Sequence, residues 1–170
     1  LAMSTLEVIL KKNIELQFRN EIDILMIFDT EANNLSDEDF RKFCVPFINE
    51  IAQLYPNKIG YFTKNISFEK LEILKNIKNL KLTVLGSQQN LFDQLPQTHL
   101  TLQGNFSNEL LAITDKDNFK SALDGYLELV QNYGVEKRDG WIASLDHGVQ
   151  KTTPEANIHL FIEQIRTKLA

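Results

Sequence analysis

The sequence predicts an α/β protein built from about five β/α units in series, with parallel strands. Two observations support this fold class. Short apolar runs alternate with longer segments in which apolar residues recur every three or four positions, as in buried strands and amphipathic helices. Most of the apolar runs end in a polar cluster. The alternation of apolar runs with helical segments is typical of parallel strands joined by right-handed crossovers. Periodicity alone leaves two architectures open, an open doubly wound sheet and an arc of a (β/α)₈ barrel.

Length and composition indicate one globular domain over residues 1–170. The chain has 170 residues, whereas a complete (β/α)₈ barrel usually needs about 250. Its 43% hydrophobic and 24% charged residues are typical of soluble proteins. No apolar run approaches the roughly 18 residues of a membrane span, and the first residues do not resemble a signal peptide. We therefore expect a cytoplasmic protein that has no membrane partner.

The first half of the chain contains an opening helix and two β/α units. The opening helix is predicted to bury one stripe, formed by Leu6, Leu10, Ile14 and Phe18. Residues 22–28 form the first predicted strand, and Ser36 with Asp39 predicts the N-terminal cap of the next helix. The buried stripe predicted for that helix contains Phe40, Phe43, Phe47, Ile51 and Leu54. A strand over residues 58–62 and a helix with Phe68, Leu71, Leu74 and Ile77 on one face follow.

The second half continues the pattern with three more strands. Residues 82–85, 100–103 and 140–145 are the predicted strands, and a short helix follows the first of them. A long helix is predicted to end at Gly134, and its apolar face contains Phe119, Leu123, Tyr126, Leu129, Val130 and Tyr133. The closing helix begins after Pro154, with Ile158, Phe161, Ile162, Ile165 and Leu169 on its apolar face.

Charge and motifs argue against several functions. A net charge of −5 and a pI near 5.2 do not suit nucleic acid, which needs a cationic surface. Neither G-x-G-x-x-G after the first strand nor G-x-x-x-x-G-K-[ST] occurs, so nucleotide binding is not indicated. The single cysteine, Cys44, allows no internal disulfide, and we interpret it as a core residue.

Four strand ends together resemble those of the uroporphyrinogen decarboxylase family. Met26-Ile27-Phe28-Asp29-Thr30 is similar to the family's M-I-F-D-T/S, and Tyr61-Phe62-Thr63-Lys64 to its F-T/A-K. Leu100–Asn105 contains L-Q-G-N, and Ser144–Gly148 with Thr153-Pro154-Glu155 behind it resembles N-L-G-H-G and P-P-E. The motifs occur in the family's order, and the resemblance covers nearly the whole chain.

This resemblance implies the last five β/α units of a TIM-type barrel. It also implies a parent enzyme that is a cofactor-free lyase of haem biosynthesis and a homodimer. That enzyme converts uroporphyrinogen to coproporphyrinogen by removing four acetate carboxyl groups. An aspartate and paired arginines on the family's first strands are its central groups. Because this chain does not contain those strands, we expect it to be inactive by itself.

The resemblance also suggests three substrate-binding residues. Thr30 matches a Ser/Thr hydroxyl that could hydrogen-bond a substrate carboxylate. His147 matches the H-G histidine, whose imidazole would suit an acidic substrate. Phe28 is expected to form an apolar wall for the macrocycle. From the residues alone, Asp29 and Asp146 could form a carboxylate pair or be solvated loop ends.

Departures from the family's loops keep two alternatives open. Glu31-Ala32-Asn33 and Asn65-Ile66-Ser67 stand where the family has glycine-containing loops. A divergent, non-catalytic binding or assembly module is one alternative, because an arc of strands exposes two edges and should self-associate. The other is a corrinoid/thiol methyltransferase-like fragment, to which W-I-A-S-x-D-H-G is similar. That class needs zinc ligands such as H-x-C, which Tyr61–Lys64 lacks, so we expect no metal site.

Overall fold

The computed structural model describes residues 2–169 as helices alternating with strands. The strands are β1 (Leu25–Phe28), β2 (Ile59–Phe62), β3 (Leu80–Val84), β4 (Thr101–Phe106) and β5 (Trp141–Leu145). The helices are α1 (Ala2–Phe18), α2 (Asp37–Asp39), α3 (Val45–Leu54), α4 (Phe68–Lys75), α5 (Leu91–Gln94), α6 (Asn108–Leu111), α7 (Lys116–Asn132) and α8 (Glu155–Leu169). The five parallel strands form one sheet in the order β1-β2-β3-β4-β5, which confirms the predicted fold class.

The chain divides into two compact units. The first contains the residues up to Thr63 and Ser67–Leu82, and the second contains Lys64–Ile66 and the residues from Thr83 onward. The prediction of a single domain stays a prediction. No helix in the described part of the chain is long and apolar enough to cross a membrane.

In the first unit, α1 forms where predicted but buries only part of the predicted stripe. Ile14 is 4% exposed, whereas Leu6 and Leu10 are 54% and 50% exposed. The residues of α1 that face the unit also include Lys11, whose Nζ lies 2.6 Å from carboxylate oxygens of both Glu7 and Glu50. The prediction that Leu6 and Leu10 are buried is wrong, because α1 packs on the unit through the side that carries Ile14 and Lys11.

The segment from Asp37 to Leu54 is helical throughout, but it contains a π turn at Phe40–Cys44. Ser36 Oγ accepts a hydrogen bond from Asp39 N at 3.1 Å, which confirms the predicted cap. Within the π turn, Val45 N–H donates to Phe40 O, so one extra residue enters the turn just before Pro46. Phe40 and Ile51 are buried as predicted, but after the extra residue Ile48 and Ala52 are the other buried positions. The prediction that Phe43 and Leu54 are buried is wrong, because they are 55% and 58% exposed, and Phe47 is only half-buried.

The core of the first unit forms around β2. All four residues of this strand are buried, and it pairs with β1 in the register Leu25↔Ile59 to Phe28↔Phe62. Gly60 leaves space for two core side chains, because a Cβ at this position would lie 2.8 Å from Leu82 Cδ2 and 2.9 Å from Met26 Sδ and both would have to shift. Ser67 caps α4, which contributes Leu71 and Leu74 to the core.

In the second unit, β4 is longer than predicted. It pairs with β5 from Leu102↔Trp141 to Phe106↔Leu145, so Gly104 and Asn105 lie inside the strand and not after it. Gly104 has a φ of +133°, and a Cβ there would lie 3.0 Å from Leu85 O. Only glycine adopts this backbone conformation without strain, so the glycine at this position allows β4 to continue.

The core of the second unit packs β4 against α7 and α8. Its buried members are Phe106, Leu111, Phe119, Leu123, Leu127 and Phe161. Leu129, predicted to face the core, is 61% exposed, and Leu127 occupies the inner position. Gly134 has a φ of +73° just after α7, as its predicted role at the helix end requires.

Candidate functional site

An open cavity of about 500 Å³ lies within the second unit. Its lining comes from the segments that follow β2, β3, β4 and β5 in the sequence, at the carboxyl ends of the strands. The lining residues are Lys64, Asn65, Ser87, Gln88, Ser107, Asn108, Glu109, Asp146, His147, Gly148, Val149, Gln150 and Lys151. Carboxyl strand ends are where (β/α)₈ proteins bind ligands, and the volume suits a small molecule.

Hydrogen bonds join the loops after β4 and β5. Asp146 is 6% exposed, and its Oδ1 accepts from Asn108 N at 2.8 Å. Asn108 Nδ2 in turn donates to Gly148 O at 2.9 Å. Asp146 is therefore a buried carboxylate that positions the neighbouring loop, and the interpretation of it as a solvated loop end is wrong.

Asn105 holds the loop after β3. Its Nδ2 donates to Gly86 O at 3.0 Å and to Gln89 O at 2.7 Å. Gln89 Nε2 donates to Ile66 O at 3.0 Å, so the segment containing Lys64 and Asn65 is attached to the same loop. These bonds run between buried groups and give the cavity a fixed polar frame.

Three basic side chains line the cavity: Lys64, His147 and Lys151. Two acidic side chains, Glu109 and Asp146, accompany them, but Asp146 already accepts a backbone hydrogen bond. His147 is half-buried, whereas both lysines are exposed. The cavity can therefore hold an anionic group between lysine ammonium groups and the imidazole, without burying an uncompensated charge.

The other two predicted site residues, Phe28 and Thr30, belong to the first unit. Phe28 ends β1, and Thr30 follows this strand. Phe28 is 73% exposed, and its ring lies 5.5 Å from that of Phe62. Thr30 is half-buried, and its carbonyl accepts from Thr63 Oγ1 at 3.4 Å. Phe28 and Thr30 lie in the first unit, and His147 lies in the second. Their predicted roles in substrate binding stay predictions.

A second polar group in the first unit surrounds Asp29. Tyr61 OH donates to Asp29 Oδ2 at 2.8 Å, and Cys44 Sγ lies 3.9 Å from the same oxygen. Burial, and then the bond to Asp29, raises the pKa of Tyr61 far above its usual range. Burial also raises the pKa of the Cys44 thiol, and the Asp29 carboxylate adds to this shift. Tyr61 and Cys44 therefore stay protonated, which suits a structural role for both.

No group of three or more His, Cys, Asp or Glu residues in residues 2–169 is arranged to hold a metal ion.

Sequence reasoning identified His147 but missed most of the cavity lining. Lys64 stands in the F-T/A-K motif, yet only the position of its loop relative to the loops after β3 and β5 makes it part of the cavity. Lys151 lies in no motif. The sequence feature that could have identified Lys151 is its position a few residues after a strand end, because the loops of a barrel converge there.

Comparison with known proteins gives one family. The family model described as "Uroporphyrinogen decarboxylase (URO-D)" matches residues 2–168. Among similar curated proteins, the uroporphyrinogen decarboxylase of Chlorobium phaeobacteroides is 25% identical over 96% of this chain and 47% of its own length. That of Campylobacter lari is 28% identical over 98% of this chain and 48% of its own length. The chain thus spans about half the length of the curated relatives that it matches.

Proposed function

The chain belongs to the uroporphyrinogen decarboxylase family, and from this membership we propose that it is the C-terminal part of a uroporphyrinogen decarboxylase-like lyase. Family membership also confirms that its five β/α units are a portion of a TIM-type barrel. The proposed substrate is uroporphyrinogen, a tetrapyrrole with eight carboxylate side chains, and the proposed product is coproporphyrinogen. The cytoplasmic location and a homodimeric parent enzyme stay predictions.

The cavity with three basic side chains is the observation that carries this proposal. An acidic tetrapyrrole needs cations or N–H donors opposite its carboxylates, and Lys64, His147 and Lys151 are in a position to supply them. We propose that His147 donates to an acetate or propionate carboxylate at the carboxyl end of β5. In the first unit, Thr30 would donate its hydroxyl to a carboxylate, and Phe28 would contact the macrocycle.

The chemistry explains why such binding is not enough for turnover. Loss of carbon dioxide from a pyrrole acetate leaves an electron pair, which the ring accepts only after it has been protonated. The resulting cationic intermediate needs a carboxylate opposite the pyrrole N–H groups. The resemblance assigns that carboxylate, and the paired arginines, to strands outside this sequence. We therefore expect this chain alone to release no carbon dioxide from uroporphyrinogen under anaerobic conditions, and measurable release would contradict the proposal.

Binding can be tested without turnover, using uroporphyrin, the stable oxidised form of the substrate. We expect its fluorescence anisotropy to rise on titration with the chain. His147→Ala and the double variant Lys64→Ala/Lys151→Ala should each weaken binding at least about tenfold, because one charge-assisted hydrogen bond contributes about 1.5 to 3 kcal/mol. Higher salt should weaken the wild-type complex, because both lysines are exposed.

His159→Ala and Lys120→Ala are matched controls. Both side chains are exposed on helices outside the cavity, where His159 lies near Glu155 and Lys120 pairs with Asp124. Neither substitution should change uroporphyrin binding. Equal loss in the controls would indicate nonspecific attraction, and unchanged binding by His147→Ala would reduce this histidine to a turn residue.

A non-catalytic assembly module is the second candidate, because α1 exposes several large apolar side chains. This candidate predicts no saturable binding of uroporphyrin. The titration described above therefore separates the two candidates.

A further inference from the structure

Three hydrogen bonds hold the residues on either side of His147. The backbone N–H of Asp146 donates to Phe106 O at 2.9 Å, and Asp146 Oδ1 accepts from Asn108 N at 2.8 Å. On the other side of the histidine, Gly148 O accepts from Asn108 Nδ2 at 2.9 Å. His147 therefore lies between two anchored positions, and Asn108 makes one hydrogen bond to each of them.

The helix that begins with Asn108 is itself fixed at both ends. Helix α6 has only four residues, and so short a helix is not stable without tertiary contacts. At its start, Ser107 Oγ accepts from Glu109 N at 3.2 Å. At its end, Leu111 is fully buried, and its carbonyl accepts from Nδ2 of the buried Asn157 at 2.9 Å. Helix α6 is therefore a fixed support for the loop that contains His147.

The carboxylate of Asp146 is a feature of this chain and not of the motif that its segment resembles. The string N-L-G-H-G has glycine where this chain has Asp146. Glycine has no side chain that could accept the Asn108 N–H, and it leaves the backbone more conformational freedom. The cavity also contains three basic side chains, and a carboxylate beside them opposes an anionic ligand. The hydrogen bond to Asn108, and not the negative charge, therefore accounts for an acidic residue at this position.

We propose that Asp146 and Asn108 are positioning residues, which hold the backbone of His147 where its imidazole binds an anionic group of the ligand. A residue that is held in place before binding loses less conformational entropy when the ligand arrives, so the complex is tighter. The inference rests on the proposed function for the identity of the ligand, and uroporphyrin is the probe. The positioning itself can be measured without any ligand.

Substitutions of Asp146 separate its hydrogen bond from its charge. Asp146→Asn retains a side-chain oxygen that accepts from Asn108 N, whereas Asp146→Ala removes both the acceptor and the charge. We expect Asp146→Asn to bind uroporphyrin at least as tightly as wild type. Asp146→Ala should bind it about tenfold more weakly, because a hydrogen bond to a charged group is lost. If the charge alone mattered, the two variants would bind equally, and this result would overturn the inference.

Asn108→Ala tests the same contact from the other side. This variant keeps the backbone N–H that donates to Asp146 and loses the bond to Gly148, so uroporphyrin binding should weaken about fivefold. Asn108 is only half-buried, so this substitution also provides a test if Asp146→Ala does not fold.

Backbone order parameters from NMR relaxation measure the positioning without a ligand. The N–H of His147 should be as ordered as a rigid backbone, at about 0.85, in wild type and in Asp146→Asn. In Asp146→Ala and Asn108→Ala its order parameter should fall towards about 0.6, the value of a flexible backbone. Asp115→Ala is the matched control, because Asp115 Oδ1 also accepts a backbone N–H, from Asn118 at 2.9 Å, at the start of α7. This control should change neither the order of His147 nor uroporphyrin binding.

The two measurements distinguish failure of this inference from failure of the proposed function. Unchanged order of His147 in both Asp146→Ala and Asn108→Ala would overturn the inference, and so would an equal loss of order in Asp115→Ala. If the wild-type chain does not bind uroporphyrin, the proposed function fails. The order parameters then still decide whether Asp146 and Asn108 position His147.

Discussion

Buried Tyr61 and half-buried Tyr126 carry hydroxyl groups whose pKa values are raised in the folded protein. Tyr126 OH donates to Gly104 O at 3.4 Å and lies 3.3 Å from Asn105 N. Burial raises the pKa of Tyr126 to about 12, and the bond from Asn105 N–H offsets part of this shift. The pKa of Tyr61 is also raised, first by burial and then by the bond to Asp29. Both tyrosines hold their protons at a pH where an unfolded chain would lose them.

The resulting prediction concerns stability at alkaline pH. Above the ordinary tyrosine pKa of 10.0 the unfolded chain releases a proton that Tyr126 keeps, so the native state binds more protons and stability falls as pH rises. Between pH 10 and about 12, Tyr126 should account for about 1.4 kcal/mol per pH unit. Urea unfolding at several pH values in this range should show a shallower loss of stability for Tyr126→Phe than for wild type. Identical slopes for the two proteins would contradict the prediction.

Gly104 is a position where a single residue determines the local structure of β4. Gly104→Ala places a Cβ 3.0 Å from Leu85 O on a backbone with a φ of +133°, so the free energy of unfolding should drop by about 1 to 3 kcal/mol. Gly125→Ala is the control, and we expect it to stabilise the protein. Gly125 lies inside α7, and no atom lies within 4 Å of the Cβ that this substitution adds. The free energy of unfolding of Gly125→Ala should rise by about 0.5 to 1 kcal/mol. A loss in both variants would mean that α7 does not tolerate the change.

At the scale of elements, the π turn at Phe40–Cys44 sets which side of α3 is buried. Ile48 is 1% exposed, whereas Phe43 is 55% exposed. Ile48→Ala should therefore lower the free energy of unfolding by about 2 to 4 kcal/mol, and Phe43→Ala by less than about 1 kcal/mol. Chemical denaturation measures both. Similar losses, or a larger loss at Phe43, would favour an uninterrupted α-helix with the stripe that the sequence predicts.

The strands were more predictable than the faces of the helices. Each strand is a short apolar run, and burial on both sides makes such runs recognisable without knowledge of their neighbours. The buried side of α3 depends on one inserted residue before Pro46, which a period of 3.6 cannot anticipate. The side of α1 that faces the unit contains Lys11, whose partner Glu50 lies 39 positions away in sequence. Helix periodicity therefore located these elements but not their orientation.

The candidate site was predictable only in part for a similar reason. Position after a strand end, together with the family motif, identified His147. Lys64 and Lys151 lie 87 positions apart and share a cavity because the hydrogen bonds of Asn105, Gln89 and Asn108 hold three loops in place. Asn105 belongs to the L-Q-G-N motif, but the motif does not show which carbonyl groups its side chain binds. Gln89 and Asn108 stand in ordinary polar stretches, and no local pattern distinguishes them from solvated loop residues.

At the scale of the whole molecule, the chain passes between the two compact units at three points. These are the Thr63–Lys64, Ile66–Ser67 and Leu82–Thr83 bonds, and the last lies inside β3. With five residues, β3 has the usual length of a single strand, so we expect its two parts to form together. We therefore propose that the two units unfold in one cooperative transition, as the prediction of a single domain requires.

Trp141 allows this proposal to be tested, because it is the only tryptophan and lies in the second unit. Its indole N–H donates to Gly104 O at 2.6 Å, so its fluorescence reports on the pairing of β4 with β5. Ile48→Ala removes core packing in the first unit alone. If unfolding is cooperative, this variant lowers the urea midpoint seen by Trp141 as much as the midpoint seen by far-ultraviolet circular dichroism. An unchanged Trp141 midpoint would mean that the units unfold independently, and that the chain is two domains joined through β3.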